Sequence, residues 1–595
     1  MKPYFEKMDP LGKELSPKQI KEMKDNLQLI EEVMKRVESE AQRIQNYGVP
    51  AEKMHERGEM TVWDRIEYLV DPGTFLPLHS IFDPEDEESG STGVVDGLAR
   101  INNRWCVLIG FNNKWMAGAW IAGQAENNLR VTDLAKNLRI PLVWLVNCSG
   151  VKLPEQEKVY ANRRGNGTCF FRHAELEKMG IPVIAGIYGT NPAGGGYQSI
   201  SPTILLAHKK ANMAVGGAGI VSGMSPKGYF DEEGAKQIIE ATRNFKYIPP
   251  GSAKIHFNET GFFSAVFDEE TQVLDAIKNY MKAIPAYEPM FFRVAEPSEP
   301  KYSPSEIASI IPMNQKAPYD FKQVLARLVD NSEHMEFCPD YGPEVYTGLV
   351  KVDGFPAGII GNFQGLLPKY PEYTNEYIGI GGKLYRQGLI KMSEFVALCA
   401  RDKLPVIWLQ DTSGIDVGDI AEKAELLGLG QSLIYSVEDS NLQMMLVVLR
   451  KGQAAAHYVM GGPTANNNNA FTIGTAATDI KGMFGETAAV ASYARRLVKE
   501  EDAGHSLLPV IEKMNQLVKH YNDASEPFYC AKKGFVDEIV RFEEIRRYMV
   551  GFMNSVYQNP RSICPRHHLL LPRVIRSQII KGLDRPAEVA KQTRM

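Results

Sequence analysis

The chain of 595 residues has few cysteines and no long apolar run. Its seven cysteines are scattered and form no CxxC pair, which disfavours a zinc ribbon or a redox motif and is typical of reduced cytoplasmic proteins. No apolar run approaches the roughly 20 residues that cross a bilayer, and the N-terminus has no apolar signal region. The formal net charge of -5 gives no reason to expect nucleic acid as a partner. We therefore expect a cytoplasmic protein.

The sequence also lacks the common motifs for phosphate and metal binding. It contains neither a GxxxxGKS/T phosphate loop nor an HExxH zinc motif. Its eleven histidines show no metal-ligand spacing. These absences disfavour an ATP site, and we expect a protein without a metal.

The length predicts more than one domain, because single cores stop growing at about 250–300 residues. The best candidate linker is a proline-rich stretch near the middle of the chain, with Pro285, Pro289, Pro297, Pro300 and Pro304. We predict an N-terminal helical extension over residues 1–50, one domain over 51–295 and a second over 296–595.

A long helix is predicted to run from Ser16 to Gly48. Ser16 is a suitable N-cap, Pro17 suits the first helical position and Gln19 completes a capping box. Apolar residues then recur alternately three and four apart, as in a heptad seam, at Ile20, Met23, Leu27, Ile30, Met34, Val37, Ala41 and Ile44. The helix either packs on its own domain or forms a coiled-coil or subunit contact.

One sequence pattern occurs twice along the chain. An apolar strand leads into a turn with Ser-Gly, and a cluster of small residues follows further on. The pattern occupies residues 141–151 and 193–196 in the first half, and 405–415 and 454–456 in the second half. A match of strand, turn and small-residue cluster in the same order indicates a duplicated domain.

Within each half, short β-branched and aromatic runs alternate with helical patterns. We predict strands at 183–188 and 446–449, and helices at 125–137 and 384–401. Such alternation is typical of stacked βαβ units. The predicted fold is therefore α/β, with two tandem domains of stacked βαβ units behind an N-terminal helical extension.

The small residues of these turns permit a particular chemistry. N–H groups at the start of a helix have no partner within the helix, and glycine lets a ligand approach closely. Two such turns side by side, 149–151 and 193–196, would offer two convergent donors to a thioester carbonyl that becomes an enolate. A glycine run is also consistent with a tight turn or a close-packing site. The second copy favours two anion-stabilising sites in one chain.

Four motifs resemble those of the carboxyltransferase subunits of biotin-dependent enzymes, and in detail those of the decarboxylases that act on glutaconyl-CoA. They span residues 147–152, 188–197, 410–418 and 450–458. The resemblance covers nearly the whole chain and implies two crotonase-like domains. The N-terminal domain would bind the acyl-CoA and the C-terminal domain biotin, with the active site shared between subunits. Departures from the propionyl-CoA type at Ile415 and at Ala454-Ala455-Ala456 favour the decarboxylase branch.

The resemblance also assigns roles to backbone N–H groups. Those of Val151 and Gly195 would hold the thioester oxygen, and those of Ile415 (or Gly414) and Ala455 would hold the ureido oxygen of biotin. Neighbouring positions would complete the two sites, with Gly150, Gly194, Gly196, Arg163 and Arg164 on the acyl-CoA side and Gly414, Ala454 and Ala456 on the biotin side. No side-chain acid or base is required.

The implied reaction moves the carboxyl group of glutaconyl-CoA to protein-bound biotin without ATP, giving crotonyl-CoA and carboxybiotin. Biotin is expected on a separate carrier subunit, since the chain has no Met-Lys-Met acceptor motif. An integral-membrane decarboxylase subunit of a sodium pump complex would attach the chain peripherally to the membrane, and a homodimer or higher homo-oligomer is expected.

Three alternatives remain open. One is the carboxyltransferase β subunit of an ATP-dependent acyl-CoA carboxylase of the propionyl or methylmalonyl type. Another is an enoyl-CoA hydratase or isomerase, although duplication within one chain disfavours it. The third belongs to a different class and is a non-catalytic acyl-CoA-binding scaffold subunit.

Overall fold

A computed structural model describes residues 8–159, 163–165, 167–198, 203–216, 229, 231–243, 251–285, 289–369 and 378–558. These residues form two compact units. The N unit comprises the described residues from Gln42 to residue 285 together with Gln558, and the C unit comprises residues 8–41 together with 289–557. The beginning of the described chain therefore belongs to the same unit as its second half.

The first described elements are strand β1 (Asp9–Pro10) and helices α1 (Pro17–Glu22) and α2 (Lys24–Asn46). The predicted capping box is confirmed, because the Gln19 amide donates to Ser16 Oγ and the Ser16 amide donates to Gln19 Oε1. The predicted single helix is interrupted at Met23. The predicted seam is buried only in part, since Ile30, Met34, Val37 and Ile44 are buried whereas Ile20 and Leu27 are exposed.

Helix α2 packs on the C unit through polar contacts. Asn26 Nδ2 donates to the carbonyls of Ala308 and Ile311 at 3.0 Å each. Further along, the Arg541 guanidinium donates to Glu31 at 2.9 Å and to Glu38 at 2.6 Å. These contacts give the helix a partner within its own chain.

The N unit is a seven-stranded mixed sheet with helices. Its strands are β2 (Leu76–Leu78), β3 (Val94–Ile101), β4 (Arg104–Phe111), β5 (Leu142–Val146), β6 (Val183–Ile187), β8 (Ile204–His208) and β10 (Ala265–Phe267), with β7 (Thr190–Pro192) and β9 (Asn212–Ala214) as a separate pair. Its helices are α3 (Ala51–His55), α4 (Val62–Leu69), α5 (Gln124–Leu138), α6 (Gln156–Val159), α7 (Thr168–Lys178), α8 (Gly194–Tyr197), α9 (Glu232–Arg243), α10 (Ala253–Asn258) and α11 (Glu270–Ala283). The sheet order is β10-β8-β6-β5-β4-β3-β2.

The C unit is built around a nine-stranded sheet. Its strands after β1 are β11 (Glu333–Glu336), β12 (Val345–Val352), β13 (Phe355–Asn362), β17 (Val406–Thr412), β19 (Met444–Gln453), β20 (Asn469–Gly474), β21 (Asp479–Lys481) and β22 (Glu538–Ile539); outside this sheet, β14 (Leu366–Lys369) pairs with β15 (Ile378–Ile380), and β16 (Lys383–Leu384) with β18 (Gly414–Ile415). Its helices are α12 (Phe321–Leu325), α13 (Arg386–Asp402), α14 (Asp419–Lys423), α15 (Leu426–Ser440), α16 (Ala454–Val459), α17 (Gly485–Asp502), α18 (Leu508–Asp523), α19 (Pro527–Lys532) and α20 (Ile545–Gln558).

The two units share one topology. In each, an antiparallel hairpin is followed by a parallel series, β3-β4 then β5, β6, β8 and β10 in one unit, and β12-β13 then β17, β19, β20 and β22 in the other. Even the register agrees, since Trp144 pairs with Ile109 and Trp408 pairs with Ile360. The predicted strands and helices are confirmed, except that the helix expected from 384 begins at Arg386 because Leu384 lies in β16.

Candidate functional site

In the N unit, the first predicted turn follows β5 and is held by a single bridge to Trp120. The Trp120 amide donates to Gly150 O at 2.8 Å, and the Lys152 amide donates to Trp120 O at 2.9 Å. Because this parallel bridge uses the neighbours of Val151, the Val151 N–H points to the opposite side and has no acceptor among the described residues. Gly150 adopts a φ of +99°, which glycine tolerates without strain.

The second turn of the N unit connects β7 to helix α8. Ala193 has φ 46° and ψ -126°, a conformation that costs free energy for an L-residue. Its carbonyl accepts from the amides of Gly196 and Tyr197 at 3.0 Å each. The amides of Gly194 and Gly195 have no acceptor among the described residues. The strained alanine therefore starts a helix whose first donors are available to a ligand.

The two turns of the N unit lie directly against each other. A Cβ at Gly195 would stand 2.3 Å from Cys148 O and 3.0 Å from Gly150 N, so this position accepts only glycine without displacement of the backbone. Asn191 Oδ1 also accepts from the Cys148 amide at 2.7 Å. The structure thus brings together the predicted site residues Gly150, Val151, Gly194 and Gly195.

A buried ion pair lies beneath the first turn. Arg65 on α4 donates to the two carboxylate oxygens of Glu270 at 2.7 and 3.1 Å, and both residues are buried. Its Nη1 and Nη2 also donate to Asn147 Oδ1 at 3.3 Å. Its guanidinium lies 3.9 Å from the centre of the Tyr188 ring. Asn147 begins the turn after β5, and Tyr188 follows β6. Arg65 therefore connects both loops to helix α4 and, through Glu270, to helix α11.

The C unit repeats the pair of turns. After β17, the Ser413 amide donates to Gly382 O at 2.8 Å and the Asp416 amide donates to Leu384 O at 3.0 Å, which fixes the Gly414–Ile415 strand β18. After β19, Ala454 adopts a φ of +53° at the start of α16. The Ala455 amide has no backbone acceptor in the part of the chain that the structure describes.

The two positive-φ alanines mark equivalent points of the units. Ala193 and Ala454 each stand where a strand passes into a helix. One residue after the positive-φ alanine stands Gly194 in the N unit and Ala455 in the C unit. The resemblance instead gives Gly195 the role in the N unit that Ala455 has in the C unit. Gly196 and Ala456 lie in the same two helices.

The turn after β17 rests on a buried cluster of charges. Asp411 accepts from Arg450 Nε at 2.9 Å, from the Lys451 amide at 3.2 Å and from Lys451 Nζ at 3.3 Å. Gln364 Nε2 donates to Asp411 O at 2.9 Å, and Gln364 Oε1 accepts from Arg450 Nη2 at 3.2 Å and from Lys451 Nζ at 3.3 Å. These contacts fix the start of the turn.

The two predicted arginines lie at the exposed surface. The Arg164 guanidinium donates to Glu126 Oε2, near the start of α5, at 2.8 Å from Nη2 and 3.2 Å from Nε. Arg163 is exposed, and its carbonyl accepts from Thr168 Oγ1 at 3.2 Å. A role for either in binding the phosphates of coenzyme A remains a prediction.

Two titratable side chains next to the turns, Cys148 and His457, are neutral at pH 7. Burial raises the pKa of the Cys148 thiol to about 12. Burial lowers the pKa of His457 on α16 to about 4, and its Nδ1 lies 2.8 Å from Gln410 Oε1. Among the described residues, no group of acidic, histidine or cysteine side chains could hold a metal ion.

His173 on α7 is a second buried neutral histidine. Neither of its ring nitrogens has a hydrogen-bond partner among the described residues, and its ring lies edge-on to Trp144 at 5.2 Å. Burial lowers the pKa of His173 to about 4. Because the unfolded chain binds this proton near pH 6.5, the contribution of the neutral ring to stability is complete above that pH and is lost as the pH falls toward 4.

We expect the His173→Phe variant to lose less stability than the parent protein when the pH is lowered from 7 to 5. Between pH 7 and pH 5, the parent protein should lose roughly 2 kcal/mol more unfolding free energy than the variant, because its unfolded state takes up one proton on His173 below pH 6.5. Urea unfolding at both pH values measures it, with His520→Gln at an exposed histidine as the control. An identical pH dependence for His173→Phe and the parent protein would contradict the assignment.

Several supporting residues are not apparent from the sequence pattern. Arg65 stands on the apolar face of α4, between Val62, Ile66 and Leu69, which are all buried. A charged residue on such a face indicates that it has a buried partner, but the sequence does not show which residue that partner is. Nothing in the sequence around Trp120 indicates that it forms a β-bridge with Val151. Asp411 lies within the motif at residues 410–418, but that motif does not indicate a role for it.

Two tandem α/β units, each presenting a strained strand-to-helix turn against a Ser-Gly turn, define a duplicated α/β fold class. The chain belongs to the carboxyl transferase domain family, which residues 53–570 match. It is a biotin-dependent carboxyltransferase, as the sequence predicts.

Two curated relatives show how far this similarity extends. The alpha subunit of glutaconyl-CoA decarboxylase from Acidaminococcus fermentans is 54% identical over 575 residues, which cover 96% of this chain and 97% of that protein. The beta1 subunit of the biotin-dependent 3-methylcrotonyl-coenzyme A carboxylase from Mycobacterium tuberculosis is 25% identical over 497 residues, covering 82% of this chain and 87% of that protein. Both are named as subunits of larger enzymes.

A solved structure confirms the fold class. The beta subunit of geranyl-CoA carboxylase from P. aeruginosa superimposes with a TM-score of 0.74 at 20% identity, covering 94% of this chain and 99% of that chain. The predicted α/β fold with two crotonase-like domains is therefore correct. None of the helices within the described ranges is long and apolar enough to cross a membrane.

Proposed function

We propose that this chain removes the carboxyl group of glutaconyl-CoA and transfers it to protein-bound biotin without ATP, leaving crotonyl-CoA. The observation that carries this proposal is the 54% identity, over nearly the full length of both chains, to a glutaconyl-CoA decarboxylase alpha subunit. Relatives that are named as carboxylases are only about half as similar, at 23–25% identity. The paired turns supply the chemistry that such a transfer needs.

On the acyl-CoA side, the amides of Val151 and Gly195 are proposed to hold the thioester oxygen. When the carboxyl group leaves, the electron pair of the broken bond delocalises onto that oxygen. Two N–H donors without other acceptors stabilise this charge, and the contact of Gly195 with the Cys148–Gly150 backbone sets their spacing. Gly150, Gly194 and Gly196 would leave room for the ester, and Arg163 and Arg164 would contact the coenzyme A phosphates.

On the biotin side, the amides of Ile415 and Ala455 are proposed to hold the ureido oxygen, with Gly414, Ala454 and Ala456 around them. The turns of the C unit fit such a group, since the Ala455 amide lacks a backbone acceptor among the described residues and Ala454 is held at positive φ. Biotin, when bound, would supply the ring nitrogen that accepts the carboxyl group, and the proton that this nitrogen loses would pass to the dienolate, giving crotonyl-CoA. The part of this chain is to orient the ring and to polarise its carbonyl.

Biotin and the later fate of the carboxyl group are assigned to other subunits. We propose a separate biotin carrier, an integral-membrane decarboxylase subunit and association of this chain with copies of itself. In that arrangement the chain is cytoplasmic and reaches the membrane through the complex. The relative from A. fermentans carries the name of an alpha subunit, which supports a division of labour among several chains.

The purified chain should decarboxylate glutaconyl-CoA slowly when free biotin is added, because both half-sites lie on one polypeptide. Chromatography of crotonyl-CoA measures the reaction, with malonyl-CoA and methylmalonyl-CoA as competing substrates and omission of biotin as the control. Avidin blotting of the same preparation should give no signal. Faster turnover of methylmalonyl-CoA would indicate the carboxylase alternative, and no turnover of any ester would indicate a scaffold.

A further inference from the structure

The duplicated turns rest on buried charges that differ between the two units. Beneath the N-unit turn, Arg65 faces the Glu270 carboxylate and the neutral Asn147, so the buried charges cancel. Beneath the C-unit turn, the single carboxylate of Asp411 faces both Arg450 and Lys451. Asn147 and Asp411 occupy the same position in the repeated pattern, so the difference lies at equivalent points.

The excess positive charge of the C unit is not cancelled by a further unpaired carboxylate among the described residues. Arg450, Lys451 and Asp411 are all buried. The next carboxylate that acts on Lys451 is Asp479, which already pairs with Lys481 at 3.0 Å. Counted over the residues that the structure describes, one unit of positive charge therefore remains beneath the turn, and its field acts strongly because water does not screen it.

Backbone carbonyls accept hydrogen bonds from Arg450 and Lys451 and so reduce the cost of burying their charge. Arg450 Nη1 donates to the carbonyls of Asn314 at 3.0 Å and Ala317 at 2.8 Å, and Lys451 Nζ donates to Gln315 O at 3.3 Å. Burial lowers the pKa of Lys451, and the Asp411 carboxylate opposes that change. The hydrogen bonds satisfy the donors without adding a second negative charge.

The cluster lies at the base of both C-unit turns. Lys451 precedes Ala455 by four residues on β19, and its amide donates to Asp411, which precedes Ile415 by four residues on β17. A charge at this position acts on whatever oxygen the Ile415 and Ala455 amides hold. At the corresponding position of the N unit, the charges of the described residues Arg65 and Glu270 cancel.

We infer that Lys451 is a positioning residue of the C unit, whose buried positive charge stabilises the negative charge that develops on a ureido oxygen at the Ile415–Ala455 turns. The inference rests on the proposed function. The N-unit turn lies over an ion pair without net charge, whereas the C-unit turn, which would hold the ring that becomes carboxylated, lies over the additional charge of Lys451. Lys451 does not touch the reacting atoms and acts through the field at the turn.

The test compares Lys451→Met with Lys451→Arg in the free-biotin assay. Loss of one buried charge should lower kcat roughly ten-fold in Lys451→Met, and Lys451→Arg should recover most of that loss. The KM for glutaconyl-CoA and the dissociation constant of free biotin, measured by calorimetry, should each change less than about two-fold, since the charge develops only during the reaction.

Lys391→Met is the matched control. Lys391 on α13 is equally buried, and its Nζ donates to Val345 O at 2.8 Å, so its loss reports the cost of removing a buried lysine from the same unit. We expect kcat of this variant within about two-fold of the parent protein. Should Lys451→Met fail to fold, Lys451→Gln replaces it, because the amide can still donate to Gln315 O.

Three results would overturn the inference. They are an unchanged kcat in Lys451→Met, parallel losses in kcat and biotin affinity, and a folded Lys451→Arg variant without recovery. Failure of the proposed function is a separate result, because the parent protein itself would then show no biotin-dependent turnover of glutaconyl-CoA.

Discussion

Replacing Gly195 with alanine should lower the rate of glutaconyl-CoA decarboxylation roughly 100- to 1,000-fold, the usual cost of losing one oxyanion donor. The added Cβ would stand 2.3 Å from Cys148 O, so the two turns of the N unit must separate. The amides of Val151 and Gly195 then no longer converge on one oxygen. The steady-state rate with free biotin measures the effect, and circular dichroism checks the fold.

Gly167→Ala is the matched control for this change. Gly167 lies in the same unit with φ -60°, and a Cβ there meets no atom within 4 Å. We expect normal activity from this variant. A folded Gly195→Ala variant with activity close to that of Gly167→Ala would remove Gly195 from the oxyanion site.

The Arg65→Met variant should be destabilised by roughly 3–5 kcal/mol, because the Glu270 carboxylate would remain buried without its partner. Urea unfolding at pH 7 measures the loss. Most of it should be recovered in the double variant Arg65→Met/Glu270→Met, in which no unpaired charge remains. A double variant no more stable than Arg65→Met would show that the Arg65 contacts with Asn147 and Tyr188 dominate instead.

Arg100→Met provides the comparison for an exposed pair. Arg100 donates to Asp71 at 3.1 Å, but the two side chains are 38% and 24% exposed. Water screens such a pair, so its loss should cost less than about 1 kcal/mol. Equal losses for Arg65→Met and Arg100→Met would contradict the role given to burial.

The sequence predicts those parts of the fold and site that depend on local pattern. The Ser-Gly turns, the clusters of small residues and the alternation of strands and helices all follow from neighbouring residues. Because they occur twice in the same order, the duplicated α/β fold also follows. The agreement of Trp144 and Trp408 in strand register shows how closely the repeat is kept.

The supporting contacts could not be predicted in this way. Arg65 and Glu270 are 205 positions apart, and Asn26 lies 282 positions from Ala308. Contacts at such separations leave no periodic signal in the chain. The first residue of α8 could not be predicted either, because four small residues in a row, 193–196, do not show which of them begins the helix. Only the positive φ of Ala193 marks that point.

Strand β1 has a consequence for how the molecule is made. Its partner in the C unit is β11, through Asp9 with His334 and Pro10 with Glu333. On a ribosome that adds about 5–20 residues per second, the first strand waits roughly 15–65 s for its partner to emerge. Residues 42–285, which belong to the N unit, are synthesised during that interval. Strand β1 must therefore stay unpaired, exposed to chaperones and proteases, until synthesis is well advanced.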